Sequence, residues 1–186
     1  MRLETRRLIL RPFEERDLPA LTAILADEAA NRFLPWFPVG TEAEARAFYE
    51  SRWARPEGAA LAVCLKADDV PVGYVTLRAE PPCDLGYGLR EPFWHRGIIS
   101  EAAQARLERA RRDGVPYVTA THDVENPRSG AVMRRIGMRY AYSYREQWQP
   151  KDVPVIFRMY QINLDGAPRA PYAGYREEHG SFVEAL

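Results

Sequence analysis

The tightest constraint in this chain is the stretch WHRGIISEAAQARLERARRDG, from Trp94 to Gly114. Ile99, Ala103, Leu107 and Ala110 fall on one face at spacings of four and three, which predicts a helix with one buried side, and Gly114 stands ready as its stop. The entry has no simple polar cap. Trp94-His95-Arg96-Gly97 runs straight into Ile98, so the first backbone N–H groups of the helix lack partners within it. Such a start also carries the positive end of the helix dipole, and it suits a phosphate. Gly97 removes the side chain that would block a ligand, while His95 and Arg96 add donors beside it. Taken alone, the stretch also reads as a loop glycine among exposed charges.

Other phosphate motifs fail. Gly86-Tyr87-Gly88 lacks the third glycine and the following acid of a dinucleotide fingerprint, and no Gly-Lys-Ser/Thr of a P-loop occurs. Composition narrows the partners further. Lys+Arg and Asp+Glu balance at 26 each, a formal net charge of zero, which argues against nucleic acid or an anionic membrane as the main partner. The histidines His95, His122 and His179 are too scattered for a zinc site, so no metal is expected. Cys64 and Cys83 form no redox or metal motif and suggest a reducing compartment. The N-terminal segment has an apolar run of only Leu8 to Leu10, which fits neither a signal peptide nor a membrane span. A cytoplasmic location is the expectation.

The remaining elements follow from pattern. RRLILRPF predicts a first strand over residues 7–12, and Asp17-Leu18-Pro19 opens a helix to about Leu25. Residues 33–41 are a loop, and Thr41 with Glu44 makes a capping box for a helix to about Ala54. Residues 60–66 and 71–78 read as a hairpin, and 84–90 as a strand whose Gly86 and Gly88 mark a bulge or a close approach. After the central helix come a strand at 115–122, a short helix after Asn126, and strands at 139–148 and 153–162. In the first of these two, Tyr140, Tyr142 and Tyr144 share a face by their period of two. The order β, α, α, β, β, β, α, β, α, β, β is an α+β pattern, neither doubly wound nor repetitive. One domain over residues 1–163 is expected. Residues 164–186, rich in Pro, Gly and Tyr, are an extension that either packs on it or tethers a partner.

A second constellation lies at HDVENPRSGAVMRRIGM, residues 122–138. Asn126 is a natural N-cap, Pro127 fits the first helical position and Gly137 closes the helix, which accounts for all three without any function. Ser129 then has its hydroxyl near a helix N-terminus. It is either a solvated first-turn residue or a donor to a leaving group held near the dipole.

Together these segments resemble the Gcn5-related N-acetyltransferase superfamily, most closely its Rim-type, ribosomal-protein N-terminal acetyltransferase-like branch. The phosphate motif Gln/Arg-x-x-Gly-x-Gly/Ala corresponds to Trp94-His95-Arg96-Gly97-Ile98-Ile99, with Trp94 and Ile99 as departures. The preceding Glu-Ile-Gly-Tyr-x-Leu corresponds to Asp84–Leu89, and Asn-x-x-Ser followed by Gly-Phe/Met corresponds to Asn126–Ser129 and Gly137-Met138. RRLILRPFEERDLPAL and FLPWFPVGTEAEARAFY look like the branch's opening strand and acceptor-side loop.

The resemblance implies a mixed, mostly antiparallel sheet of about seven strands, with the fourth and fifth splayed and about four helices on both faces. It implies transfer of acetyl from acetyl-CoA to a primary amine by direct attack on the thioester. The pantetheine arm would bond strand backbone near Leu89. The pyrophosphate would sit on the N–H groups of His95, Arg96, Gly97, Ile98, Ile99 and Ser100, with Trp94 also among the cofactor-binding residues. Asn126 would bond the thioester end and Ser129 would protonate the thiolate. Asp84 is the first candidate base, ahead of His122 and Glu146. Acceptor selection would fall to Phe33–Pro38, the helix after Thr41 and the last two strands. The acceptor is a small-molecule amine or a protein N-terminus, and a homodimer is admitted. A non-catalytic acyl-CoA-binding module of the same fold is the alternative, motivated by Ile99 and the absence of an obvious base.

Overall fold

A computed structural model of the chain describes residues 1–54, 60–78 and 80–186. The apolar run at its front forms β2 (Leu8–Pro12), with β1 (Leu3–Glu4) paired along its outer edge. Then come α1 (Leu18–Leu25), the single turn α2 (Glu28–Asn31) and α3 (Glu42–Arg52). Thr41 and Glu44 form the expected reciprocal cap, the Glu44 N–H donating to Thr41 Oγ1 at 3.2 Å. The hairpin β3 (Leu61–Leu65) and β4 (Pro71–Leu77) is followed by β5 (Leu85–Leu89), closing an antiparallel sheet in chain order. Next are α4 (Ile98–Arg112), β6 (Tyr117–Asp123), α5 (Pro127–Arg135), β7 (Arg139–Trp148) and β8 (Val153–Asn163). The last three strands make a second antiparallel sheet ordered β6-β8-β7.

The α+β fold is therefore as expected, with one difference in the sheet. Eight strands form two sheets, and among the described residues these touch at one isolated parallel bridge, Asp84 to Thr119. The Thr119 N–H donates to the Cys83 carbonyl at 3.1 Å, and beyond it β5 and β6 separate. The ladder explains what the separation exposes. Arg78 N–H donates to the Asp84 carbonyl and Arg90 N–H to the Val72 carbonyl, so the even-numbered residues of β5 spend their backbone groups on β4. By alternation, the N–H and C=O of Leu85, Tyr87 and Leu89 point into the gap.

Side chains alternate as well. Leu85, Tyr87 and Leu89 join a core that packs β2, β4 and β6 against α4 and α5. Leu8 and Leu10 there are fully buried, each side chain worth roughly 1.5–3 kcal/mol relative to exposure. The opposite face carries the α1–α3 cluster around Trp53 and Tyr74, and a third cluster around Tyr144 and Phe157. A buried Arg11 ties this side together. It donates to Asp17 at 2.6 and 3.0 Å and to Asp69 at 3.0 Å, clamping β2 to the start of α1 and to the β3–β4 turn.

The tyrosine stripe of β7 is broken. A register shift between Tyr140 and Tyr142 sends Tyr140 to the helix-side core, while Tyr142 and Tyr144 stay on the opposite face. A bulge adds one residue and so inverts the alternation.

The extension past β8 packs on the domain. Tyr142 Oη donates to the Tyr172 carbonyl at 2.6 Å, and Tyr175 of α6 (Gly174–His179) stacks on Tyr144 with centroids 5.3 Å apart. Ser143 and Phe182 exchange backbone hydrogen bonds at 2.9 Å, and Glu184 pairs with Arg158. No helix among the described residues is long and apolar enough to cross a membrane.

Candidate active site

The gap between β5 and β6 opens into a cleft of ≈ 1320 Å³, larger than a typical single-ligand pocket of about 300–1,000 Å³ and so with room for two substrates. Its walls include Gly97–Ser100 at the start of α4 and Asn126, Arg128 and Ser129 at the start of α5. Two helix N-termini thus face one cavity.

At the first of them, Gly97 is the N-cap residue with φ +69°, and no side chain caps the helix. The N–H groups of Ile98, Ile99 and Ser100 are left without partners inside the helix. Arg7 holds this turn in place. It donates to the Arg96 carbonyl at 2.9 Å and to Glu101 at 2.7 Å. Carbonyl and N–H of one trans peptide point in opposite directions, so fixing the Arg96 carbonyl aims the Gly97 N–H away from Arg7. His95 lies at φ +61°, a left-handed value uncommon outside glycine, in the same entry turn.

Ile98 and Ile99 are 3% and 7% exposed, packed in the helix-side core, so the branched side chain of Ile99 leaves its amide available. Trp94 also lines the cleft. Its indole N–H donates to the Leu89 carbonyl at 2.8 Å, and Arg128 lies over its ring at 4.3 Å. That leaves the Leu89 N–H and both backbone groups of Tyr87 in the gap. His95 lines the cleft. Arg96 instead lays its guanidinium over Phe93 and contributes through its carbonyl.

At the second helix start, Asn126 accepts the Ser129 N–H through Oδ1 at 3.3 Å, so the capping role is real. Its side chain also lines the cleft. Ser129 has a partner that the sequence did not reveal. Tyr87 Oη donates to the Ser129 carbonyl at 2.9 Å and lies 3.0 Å from Ser129 Oγ. The phenol has a single proton, already given to the carbonyl, so Ser129 Oγ–H donates to the phenol oxygen. Burial pushes the Tyr87 phenol well above its ordinary value, keeping it protonated. The period of two between Leu85, Tyr87 and Leu89 is the sequence signal that places Tyr87 on the helix side.

Asp84 stands at the closed end of the gap, on the opposite face from Tyr87. It is half-buried and lines the cleft. Burial pushes its carboxyl up to about 6, with Arg78 opposing the shift. The other two base candidates are placed less suitably. His122 lies under α5 on the helix face, its Nδ1 2.7 Å from the Asp123 carbonyl and its Nε2 buried without a hydrogen bond. Burial pushes its pKa down. Glu146 faces His179 of the extension at 3.8 Å and is not part of the cleft lining. Nor is any of Tyr140, Tyr142 and Tyr144, while Phe33–Trp36 of the loop after α2 and Phe157 of β8 do line it.

Comparison with known proteins gives the family. Residues 7–139 match the family described as the acetyltransferase (GNAT) domain. YnaD of Bacillus subtilis (strain 168), described as an uncharacterized N-acetyltransferase, is 30% identical over 158 residues, spanning 83% of this chain and 89% of that protein. Among solved structures, a GNAT-family acetyltransferase from Bacillus anthracis superposes with a TM-score of 0.79 at 24% identity, over 89% of this chain and 99% of the other. RimL, a ribosomal L7/L12 α-N-protein acetyltransferase solved in complex with coenzyme A, gives 0.77 at 23% identity, over 90% of this chain and all (100%) of that one. On the strength of the family match and the B. subtilis relative, with the fold in agreement, this chain belongs to the GNAT acetyltransferase family and is an acyltransferase that transfers acetyl.

Proposed function

We propose that the donor is acetyl-CoA, held in the β5–β6 gap, and that the acceptor is a primary amine arriving from the Asp84 face of the sheet. The observation that carries this reading is the opposition of Asp84 and Ser129. They lie on opposite faces of β5, with a backbone gap between them. Attack on a thioester needs a base on the side of the nucleophile and an acid on the side of the leaving group.

The residues present fit coenzyme A. Gly97 to Ser100 offer amides without partners for a diphosphate, with no Cβ at Gly97. Arg128 lines the cleft and supplies positive charge, and His95, which also lines it, adds a hydrogen-bonding ring. The gap-side groups of Tyr87 and Leu89 suit the amides of a pantetheine arm. When bound, acetyl-CoA supplies an electrophilic thioester carbonyl.

The chain's own groups do the rest. The Asp84 carboxylate accepts a proton from the amine, directly or through a water. The Asn126 side chain, its Oδ1 engaged by the cap, has an amide to donate toward the thioester end. Ser129 Oγ–H delivers its proton to the departing sulfur, and Tyr87, which holds that hydroxyl in the free protein, sets its direction. A binding-only module of this fold is not favoured, because the family transfers acetyl and Ile99 leaves the cradle open. Both cysteines are buried thiols, and the reading keeps the expected reducing, cytoplasmic setting.

Release of CoA thiol, followed across peptides with free N-termini, amino acids, polyamines and aminoglycosides, tests the proposal. Amine-dependent release supports it. Failure of acetyl-CoA to bind at millimolar concentration overturns it. Ser129→Ala is expected to lower kcat roughly 10- to 100-fold while CoA affinity, measured by calorimetry, changes less than about threefold. A matching loss of affinity would assign Ser129 to binding instead.

A further inference from the structure

What stands behind the Asp84 carboxylate belongs to the extension, and the inference from it rests on the acetyl-transfer reading above with Asp84 as its base. Asp84 bridges to Thr119, and directly opposed residues of neighbouring strands put their side chains on one face. Val118 and Ala120 enter the helix-side core, so Thr119 and Thr121 share the acceptor face with Asp84. The row Asp123, Phe157 and Tyr144 crosses β6, β8 and β7 on that same face.

The chain past β8 returns over this face. Gln161 is the ladder partner of Thr119, and its Oε1 accepts the Tyr172 N–H at 2.8 Å. Tyr142 Oη holds the Tyr172 carbonyl at 2.6 Å. With Tyr172 pinned at both backbone groups, α6 sets the Tyr175 ring edge-on to Tyr172 at 5.4 Å and flat on Tyr144 at 5.3 Å, the two planes 4° apart. Tyr144 in turn lies 5.4 Å from Phe157, which lines the cleft. The two phenols converge on one place. The Tyr144 hydroxyl reaches Thr121, the Tyr175 hydroxyl reaches Thr119, and the Asp84 charge acts on both. Burial and that charge push both phenols up, so they stay protonated and have a hydrogen bond to give. Thr119 Oγ1 has already spent its own proton on the Pro82 carbonyl at 2.9 Å.

The remaining charged groups lie elsewhere around Asp84. Arg78 attends it from β4, and its charge favours the carboxylate. Glu80 lines the cleft between β4 and β5, and Asp123 lines it four residues beyond Thr119 on β6. Glu146 and His179 face one another at 3.8 Å, with the His179 ring stacked on Tyr144. On the β6 side of the carboxylate, then, the donors are hydroxyls.

We infer that Tyr175 is a positioning residue for the reaction: its phenol, paired with that of Tyr144, gives a hydrogen bond to the Asp84 carboxylate, directly or through a water, and aims the base at the incoming amine. The extension is then part of the acceptor site. A donor on a carboxylate favours its charged form, so the phenol opposes the effect of burial. Tyr175 itself touches neither acetyl-CoA nor the reacting atoms, and the proton of the amine still passes to Asp84.

Tyr175→Phe tests this in the whole protein, because it keeps the ring and its stack and removes only the hydroxyl. Expected is an acid limb of kcat/KM that moves up by at least about half a pH unit, with kcat at pH 8 lowered about three- to tenfold. The Kd for acetyl-CoA, measured by calorimetry, changes less than about twofold, since the α4 and α5 starts lie on the other face. Two neighbours serve as controls. Tyr172→Phe removes a hydroxyl that lies against Gly174, and His179→Gln removes the imidazole beside Tyr144; both leave the limb in place. A limb that stays put or moves down in Tyr175→Phe overturns the inference, as does an equal shift in Tyr172→Phe. If Asp84→Asn leaves the limb intact, the base assignment fails and the inference falls with it. A limb that Asp84→Asn abolishes and Tyr175→Phe does not move overturns the role of Tyr175 alone.

Discussion

Asp84→Asn lowers kcat by about 10²–10⁴-fold at pH 8 and at the same pH makes the protein more stable. Both effects come from one cause. Burial holds the Asp84 carboxyl at about 6, against 3.8 for an unperturbed aspartate, so the folded protein binds this proton more tightly than the unfolded chain does. The associated stability is fully present below the unfolded value, near pH 4, and is lost as pH rises through about 6. Above pH 6 the charged carboxylate in its partly dry site costs on the order of 2 kcal/mol. Asparagine has the same shape and no charge to desolvate. Its melting temperature is expected to exceed the wild type's by roughly 4–8 °C at pH 8, with the difference closing by pH 4. The kinetic signature is separate. The wild type loses kcat/KM about tenfold per pH unit below about pH 6 as Asp84 takes up its proton, and the variant lacks that limb. A variant that keeps half of wild-type turnover removes Asp84 from the role of base.

Gly97→Val is expected to raise KM for acetyl-CoA by at least about 30-fold. The reason is conformational rather than steric. A Cβ at this position meets nothing closer than Arg7 Nη2 at 3.7 Å, an ordinary contact. At φ +69°, however, a β-branched residue is a genuine outlier, costing at least roughly 1–2 kcal/mol. The turn relieves that strain by rotating the Gly97 peptide, which takes the amides of the α4 start out of alignment with a diphosphate. Gly97→Asn separates backbone from bulk, because asparagine tolerates the left-handed region. It is expected to lose less than about fivefold in KM. Equal losses for the two variants would show that the absent side chain, rather than the backbone turn, matters to the site.

Much of the fold was legible because its signals are local. The 3.6-residue spacing of Ile99, Ala103, Leu107 and Ala110, the Thr41–Glu44 box and the Asn126-Pro127 start each act within one or two turns of chain, and each is found as expected. The places where expectation and structure part are those where two distant segments meet. Period two puts three tyrosines of β7 on one face, but a bulge set by pairing with β8 moves Tyr140 to the other. The Trp94 indole donates to the Leu89 carbonyl, a partner that its place before the helix does not reveal.

The sequence by itself determined that a helix with unsatisfied N-terminal amides follows a glycine-broken strand, since φ, capping and hydrophobic period are properties of neighbouring residues. Tertiary structure alone decided that Tyr87 would hold Ser129 from one side of β5 while Asp84 waits on the other. That decision depends on where β5 and β6 stop pairing, at Asp84 and Thr119, 35 positions apart. Contacts across such a separation are chosen by the packing of whole sheets against α4 and α5, which no short window of residues encodes.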